Sequence, residues 1–311
     1  MEPPNDLEGE TSLRASEKHP SIPSVNFHLW QPCNMRCKFC FATFAETKKN
    51  QLPKGHLPQQ QTLDLMKELA AMGFEKITFA GGEPTLCPWL KDLIQLAKEM
   101  RFTTMLVTNG SKLTPEFLEL NKGYLDWITL SIDSLDASTN QKIGRKTGRE
   151  SYHKEAYQRM VKTIHDFGYG LKINTVVSRF NFQENLTEFI NHSRPSRWKV
   201  LQVLPIEGEN DRYIQELKIT DDEYGLFLDN HKNLHSGIVL VPETNDQMKG
   251  SYVMVDPAGR FFDNSDGKLR YSQPILDVGV QVALSEMRYD AEKFNNRGGI
   301  YNWKITTTHK A

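Results

Sequence analysis

An α/β fold with a parallel sheet and helices outside it is predicted by a strand–helix alternation that repeats six times between residues 24 and 234. Two local features say where its chemistry sits. Three cysteines fall within eight residues directly after the first strand signal, and a Gly-Gly-Glu-Pro run closes the second. Both stand at C-terminal strand ends, the functional face of open and closed βα sheets alike.

The elements follow in order. SVNFHLW (24–30) reads as a strand. Residues 59–72 put Leu63, Met66, Leu69 and Ala70 on one helical face, with Gly73 as the stop. KITFA (76–80) is a short strand running into Gly81 and Gly82, and a helix follows from about Trp89 to Glu99. TTMLVTN (103–109) is a strand closed by Asn109–Gly110. Thr114–Pro115 with Glu116 behind them form a helix start. WITLSI (127–132) precedes a helix over 152–167 that offers Ala156, Met160, Ile164 and Phe167 to the core. LKINTVV (171–177) and WKVLQVLP (198–205) are strands, followed by helices over 183–191 and 220–234. Six units suit a flat doubly wound sheet or a curved partial barrel, and periodicity does not choose between them.

Beyond residue 235 the rhythm changes. GIVLVPE and SYVMVDPAGRFF read as short strands, and NNRGGIYNW is Gly-rich and aromatic. The expected organisation is a polar, disordered tail over 1–20, a βα unit over 21–235, and a C-terminal extension over 236–311 folded onto the sheet's functional mouth and completing the site there.

Composition narrows the class. Of 311 residues 38% are hydrophobic, enough for a core, and the net charge is −1, so bulk charge draws the chain to neither nucleic acid nor acidic lipid. No run of eighteen apolar residues is present and the first twenty residues hold no signal-peptide core, so a soluble, cytoplasmic protein is expected.

CNMRCKFC places Cys33, Cys37 and Cys40 on one loop. Clustered thiolates in a reducing compartment suit a soft metal or an iron–sulfur cluster. Three are too few to close a structural zinc site, whose fourth ligand would have to be Cys87 or a histidine such as His28. An open position suits catalysis.

The three-then-two cysteine spacing, Phe39 before the last cysteine, and Gly81-Gly82-Glu83-Pro84 at the next strand end together resemble the radical SAM superfamily. That resemblance implies a [4Fe–4S] cluster held by Cys33, Cys37 and Cys40. Its free iron would bind S-adenosylmethionine (SAM), and reductive cleavage of SAM would yield a 5′-deoxyadenosyl radical. It also implies SAM contacts from Phe39, Gly81, Gly82, Glu83, Asn109, Ser131 and Arg145. The Glu83 charge would oppose the SAM ammonium, and Ser131 and Arg145 would meet its carboxylate.

Within the superfamily the chain resembles the viperin family. The likeness runs from about Ser24 to Trp303 through EKITFAGGEP, LKINTVVSRFN, RWKVLQVLPIEGEN, KGSYVMVD and RGGIYNW. It implies a partial (βα)6 barrel and radical dehydration of a nucleoside triphosphate to its 3′-deoxy-3′,4′-didehydro form, with CTP preferred over UTP and GTP and an antiviral role. Lys76, Lys172, Asn174, Arg197 and Lys199 then become triphosphate ligands, and Tyr252 a hydrogen relay. Lys172 and Asn174 stand two apart on one strand, hence on one face, as do Arg197 and Lys199. The expected partners are the nucleotide and an electron donor such as flavodoxin, ferredoxin or a reductase. Direct nucleic-acid binding and membrane attachment are not expected. The amphipathic leader and terminal tryptophan of animal viperins are missing from this sequence, and the loop 264–274 follows the family poorly, leaving Lys268 and Arg270 without an assigned role. Two other readings stay open: a radical SAM enzyme with a non-nucleotide substrate, and a non-enzymatic metal-binding protein.

Overall fold

The structure, a computed structural model, describes residues 21–303. The tail expected over 1–20 and the chain end from 304 lie outside the described residues.

The first half alternates as its sequence periodicity requires. β1 (Ser24–Trp30) leads through the cysteine loop and a π-helical turn at Thr47–Gln51 to α1 (Gln59–Ala71). Then come β2 (Lys76–Gly81), α2 (Leu90–Glu99), β3 (Thr103–Thr108), α3 (Pro115–Leu120), β4 (Trp127–Ser131) and α4 (Ala137–Ile143). A small hairpin of β5 (Lys146–Thr147) and β6 (Glu150–Ser151) precedes α5 (Lys154–Asp166), β7 (Gly170–Val177), α6 (Thr187–Ser193) and β8 (Arg197–Gln202). The remainder is α7 (Asp211–Leu217), α8 (Asp221–Asp229), β9 (Val239–Glu243), α9 (Asn245–Met248), β10 (Val253–Val255), β11 (Arg260–Asp263), β12 (Arg270–Pro274), and α10 to α12 between Ile275 and Asn296.

One ten-stranded sheet runs β12-β11-β10-β1-β2-β3-β4-β7-β8-β9. Every neighbour pair from β10 to β9 is parallel, and the antiparallel pairings are those of β11 with β10 and with β12. The parallel run is therefore eight strands, two more than the repeat count predicts. Both extra strands come from the C-terminal segment: β9 extends one edge and β10 the other.

The sheet curls. Tyr252, just ahead of β10, reaches Lys199 on β8 at 2.8 Å and bonds Glu243 at the end of β9. Strands six places apart meet this way only if the sheet bends into a partial barrel. Its outer face carries the main core, where Phe27, Ile77, Phe79, Leu106, Ile128, Leu171, Ile173 and Trp198 pack under the helices. The alternate residues face the lumen, and many are polar.

Two helix faces differ from the periodic reading. α1 buries Thr62, Leu65, Met66 and Leu69, leaving Leu63 and Ala70 at the flank. α5 buries Ala156, Tyr157, Val161 and Ile164, with Met160 and Phe167 only partly covered. Each stripe sits about one residue from its predicted line, because the sheet's curvature, absent from a helical wheel, sets the contact. Thr220 caps α8 with a full capping box through Glu223, and Thr114 caps α3 through the Phe117 amide.

Candidate active site

The cysteine loop leaves β1 and is held from two sides. Gly82 donates to the Trp30 carbonyl at 2.5 Å and Glu83 to the Pro32 carbonyl at 3.0 Å. A Cβ at Gly82 would strike the Gln31 and Pro32 carbonyls, so the turn needs glycine there. On the other side, the Arg36 amide donates to the Gly144 carbonyl at 3.2 Å and the Lys38 amide to the Ile143 carbonyl at 2.8 Å.

Cys33, Cys37 and Cys40 are half-buried and unbridged, and their thiols lie near enough to repel one another as thiolates. Burial pushes Cys37 up to about 12 and Cys40 up to about 11, and raises Cys33 as well. Metal binding would release those protons. Among the described residues no three His, Cys, Asp or Glu side chains close around a single ion. A four-iron cluster spreads its thiolates wider than one ion does, and three thiols on one braced loop fit it. Two side chains that could have completed a zinc site are buried, and among the described residues no such group of ligands closes with them. Cys87 is buried at the start of α2, and His28 is boxed by Phe41, Phe44 and Phe262 at ring distances of 5.3–6.0 Å.

Beside the loop, Glu83 ties β2 to β3. It accepts from the Thr85 amide at 3.1 Å, the Thr85 and Thr108 hydroxyls at 2.5 and 2.7 Å, and the Asn109 amide at 2.8 Å. Its Oε1 accepts three of these donors and its Oε2 one. Burial raises its pKa while those donors oppose the rise. The Asn109 side chain is also engaged, donating to Asn34 at 2.9 Å and accepting from the Ser111 amide at 2.9 Å.

Arg145 is buried. Its Nε bonds Asp133, whose other oxygen accepts the Val176 amide at 2.9 Å. Its guanidinium lies 5.6 Å from the Phe39 ring centre. Phe39 itself packs against Ile143, Val203, Ile214 and Leu217. Ser131 sits in register with Asn174, which is in register with Lys199.

Deeper in the lumen the basic residues meet. Thr129, Lys172 and Arg197 form the next row along β4, β7 and β8. Lys76 and Lys172 are both buried, and both reach the Tyr301 hydroxyl, Lys76 at 3.5 Å. The Arg197 guanidinium lies 4.2 Å from the Tyr301 ring centre, and Lys172 4.6 Å from that of Trp127. Lys199 sits 2.8 Å from Glu243 and 2.8 Å from the Tyr252 hydroxyl. Arg297 joins them, 3.1 Å from Glu243 and stacked 3.6 Å over the Tyr252 ring.

Of these five cations, Lys199 and Arg297 pair with one carboxylate, Glu243. Burial, then repulsion from Lys199, Arg297 and Arg197, pushes Lys76 down to about 7. Burial and the neighbouring cations hold Lys172 well below its ordinary value. Burial brings Lys199 down to about 8 against the pull of Glu243. Burial alone would raise Glu243, but Lys199 and Arg297 more than offset it and hold it low. Burial keeps Tyr252 well above its ordinary value, hence protonated at neutral pH. This excess of buried positive charge is an anion site, since burying cations without a counter-charge is costly.

Sequence reasoning brought Lys76, Lys172, Arg197, Lys199 and Tyr252 to one place. It missed Glu243, Arg297 and Tyr301, which enter from the C-terminal segment. Two lumen groups also escaped it, the Thr129 hydroxyl and His28 Nδ1, both buried without a hydrogen-bond partner. Burial lowers His28 to about 3, so its imidazole is neutral. In the loop 264–274 the Lys268 backbone pairs with Glu207 in an isolated parallel bridge, Leu269 packs on the same apolar cluster as Tyr252 and Phe41, and Arg270 pairs with Asp266 at 3.1 Å.

The profile of the Radical SAM superfamily matches residues 30–192. A protein of Lacinutrix mariniflava named S-adenosylmethionine-dependent nucleotide dehydratase is 62% identical over 91% of this chain, which spans 59% of that protein's length. A protein of the same name from Flammeovirga pacifica is 54% identical over 91% of this chain and 97% of its own length. The S-adenosylmethionine-dependent nucleotide dehydratase RSAD2 of Siniperca chuatsi is 37% identical, covering 90% of this chain and 79% of its own. Among solved structures, anSMEcpe with bound AdoMet superposes with a TM-score of 0.61 at 15% identity over 89% of this chain and 81% of its own. Streptococcus suis SuiB bound to S-adenosylmethionine gives 0.59 at 16% over 76% and 59%. At those identities the likeness speaks to the fold alone. Among the described residues no helix is long and apolar enough to cross a membrane.

Proposed function

The chain belongs to the radical SAM superfamily and, within it, to the family of S-adenosylmethionine-dependent nucleotide dehydratases, and from that premise we propose that it dehydrates a nucleoside triphosphate. The observation that carries the reading is the group of buried Lys76, Lys172 and Arg297 with half-buried Arg197 and Lys199 in a lumen whose mouth bears the three-thiol loop.

The residues divide by task. Cys33, Cys37 and Cys40 would hold the cluster. The backbone carbonyls around Gly81 and Gly82 would receive the SAM ammonium, with Glu83 and Asn109 fixing the turn between them. Ser131 and the outer edge of the Arg145 guanidinium would meet the SAM carboxylate, Asp133 holding Arg145 in place. Phe39, packed beneath Arg145, would back the same site. Bound there, a [4Fe–4S] cluster and SAM would supply 5′-deoxyadenosyl radical chemistry at the ribose C4′ hydrogen; with loss of the 3′-hydroxyl as water and gain of one electron and one proton, the sugar would become the 3′-deoxy-3′,4′-didehydro form.

The triphosphate would lie among the five cations, with Asn174 in the row above. Cations converging from β2, β7, β8 and the C-terminal segment fix the depth of the sugar, and position is what hydrogen abstraction demands most. The Tyr301 hydroxyl, bonded to Lys172 and Lys76, occupies the place a phosphate oxygen would claim. Beyond the hydrogen removed, the dehydration would consume one electron, from the external electron donor, and one proton. Tyr252, held protonated, is the proton source, with Lys199 and Glu243 on the same oxygen to resupply it.

For the base we propose cytosine, on the likeness of SVNFH and RWKVLQ to CTP-using animal viperins. The neutral His28 imidazole and the Thr129 hydroxyl are free lumen groups able to bond a polar edge. The test is anaerobic turnover of the reconstituted, reduced enzyme with equimolar ATP, CTP, GTP and UTP in one tube, products separated by mass. The didehydro product of CTP should dominate. Dominance by UTP or GTP would overturn the base alone. Failure of every triphosphate to stimulate 5′-deoxyadenosine release would overturn the nucleotide reading.

A further inference from the structure

The protein's charge is nearly balanced over the whole chain, −1, yet it is strongly polarised around the cysteine loop. The loop itself carries Arg36 and Lys38 between its cysteines and no acid. Two other segments are joined to it. The Asn34 amide donates to the Ser111 hydroxyl at 2.8 Å, which brings Lys112 alongside. The Gly144 and Ile143 carbonyls bond the loop's backbone, which brings Lys142 and the β5–β6 hairpin with Lys146 and Arg149. Together these segments carry six cations, four exposed and Lys38 and Lys146 half-exposed, against one exposed carboxylate, Glu150.

Among the described residues Lys112, Lys142, Lys146 and Arg149 make no ion pair. Lys38 has one, to Glu216 at 3.4 Å across the surface. Arg36 is exposed and spends its guanidinium on the Cys33 and Met35 carbonyls. The patch is distinct from the lumen cations, which are buried or half-buried and gathered on Glu243 and Tyr301. On the cysteine loop itself Arg36 is exposed and Lys38 half-exposed.

We propose that this face is the docking site of an acidic electron-transfer protein. The reasoning rests on the family reading for one point only, that the site must receive electrons. One electron leaves the donor and enters the cluster, and no bond is made or broken. Such transfer needs a close approach to the thiols, and residues 36 and 38 are one peptide away from them. It also needs fast, transient, reversible contact. Long-range attraction between opposite charges provides this by steering encounter without a large buried interface.

Flavodoxin, a small acidic flavoprotein, is the probe, reduced by its own reductase, with dithionite as the control that needs no docking. Lys142→Glu with Arg149→Glu reverses two exposed charges away from the thiols and the lumen. With flavodoxin, 5′-deoxyadenosine release at low salt should fall at least tenfold through a higher KM for the donor. With dithionite it should be unchanged. The affinity of oxidised flavodoxin for the variant, read by surface plasmon resonance, should fall by a similar factor. The wild-type affinity should weaken as salt shortens the reach of charge to about 10 Å at 0.1 M. Lys112→Glu, on a separate strand end, is the independent check and should weaken flavodoxin in the same sense. Unchanged flavodoxin kinetics in both variants, salt-independent binding, or tighter binding of an RNA oligonucleotide than of flavodoxin would overturn the proposal. Loss of the dithionite-driven reaction in the wild type would instead sink the radical SAM reading itself.

Discussion

Lys172 is a buried lysine whose bonded oxygen partner in the free protein is a phenol, Tyr301, and whose charged form is disfavoured by burial and by its neighbours Lys76, Arg197 and Lys199. Lys172→Ala should weaken triphosphate binding by about 1–3 kcal/mol, up to roughly a hundredfold, with the cluster's absorbance unchanged. Equilibrium binding of CTP to the reconstituted protein checks this, and equal affinity in both proteins would remove Lys172 from the site. Residues of this kind were legible because strand alternation sends Lys172 and Asn174 to one face, and Arg197 and Lys199 to one face. Glu243, Arg297 and Tyr301 were not, since nothing in VPETN or NNRGGIYNW says which lysines they will meet some fifty to two hundred residues away. The roles of Glu83 and Asn109 were half legible. The motif located the turn, but only the structure shows their polar atoms spent on Thr85, Thr108, Asn34 and Ser111.

The cysteine loop has no regular structure of its own and borrows rigidity from its neighbours. Gly144, the left-handed C-cap of α4, lies so close to the Arg36 carbonyl that any Cβ would collide with it. Gly144→Ala should therefore displace the loop as well as strain the cap, whose left-handed backbone alone costs about 1–2 kcal/mol. Iron and sulfide content after reconstitution should fall together with the unfolding midpoint, and a variant that loads fully and melts normally would contradict the bracing role. The βα strands were legible to within a residue or two at most ends, because alternating apolar residues and glycine stops mark them. The last strand's expected run to 205 ends instead at Gln202, where the chain turns toward Asn210. α4 and the β5–β6 hairpin were missed because QKIGRKTGRES carries no hydrophobic period. Its order comes from Asp136 capping α4 and from the backbone bonds to the loop.

At the scale of the molecule, the lumen gathers cations from β2, β7, β8 and the C-terminal segment, and its proton inventory changes when an anion enters. Lys76 at about 7 and Lys199 at about 8 are partly neutral near pH 8 in the free protein. A bound polyphosphate favours their charged forms and raises both values, so binding at pH 8 must take up protons, and affinity must fall as pH rises through the raised values. Calorimetric titration of CTP in two buffers of different ionisation enthalpy measures this, and zero or negative uptake would contradict it. The curled parallel sheet was legible as a class, whereas its two edge strands were not, since a three-residue strand such as β10 leaves no periodic trace. That β10 pairs with β1 has a consequence for biosynthesis. Val25, Asn26 and Phe27 find their partners at 253–255, more than two hundred residues later on the ribosome. Until that late segment emerges, the strand that launches the cysteine loop is an open sheet edge, and closing so distant a contact is slow. Metal loading is thereby tied to a finished polypeptide: a truncated or stalled chain would offer its thiols on an unsupported strand, and the cell would spend iron only on molecules already able to use it.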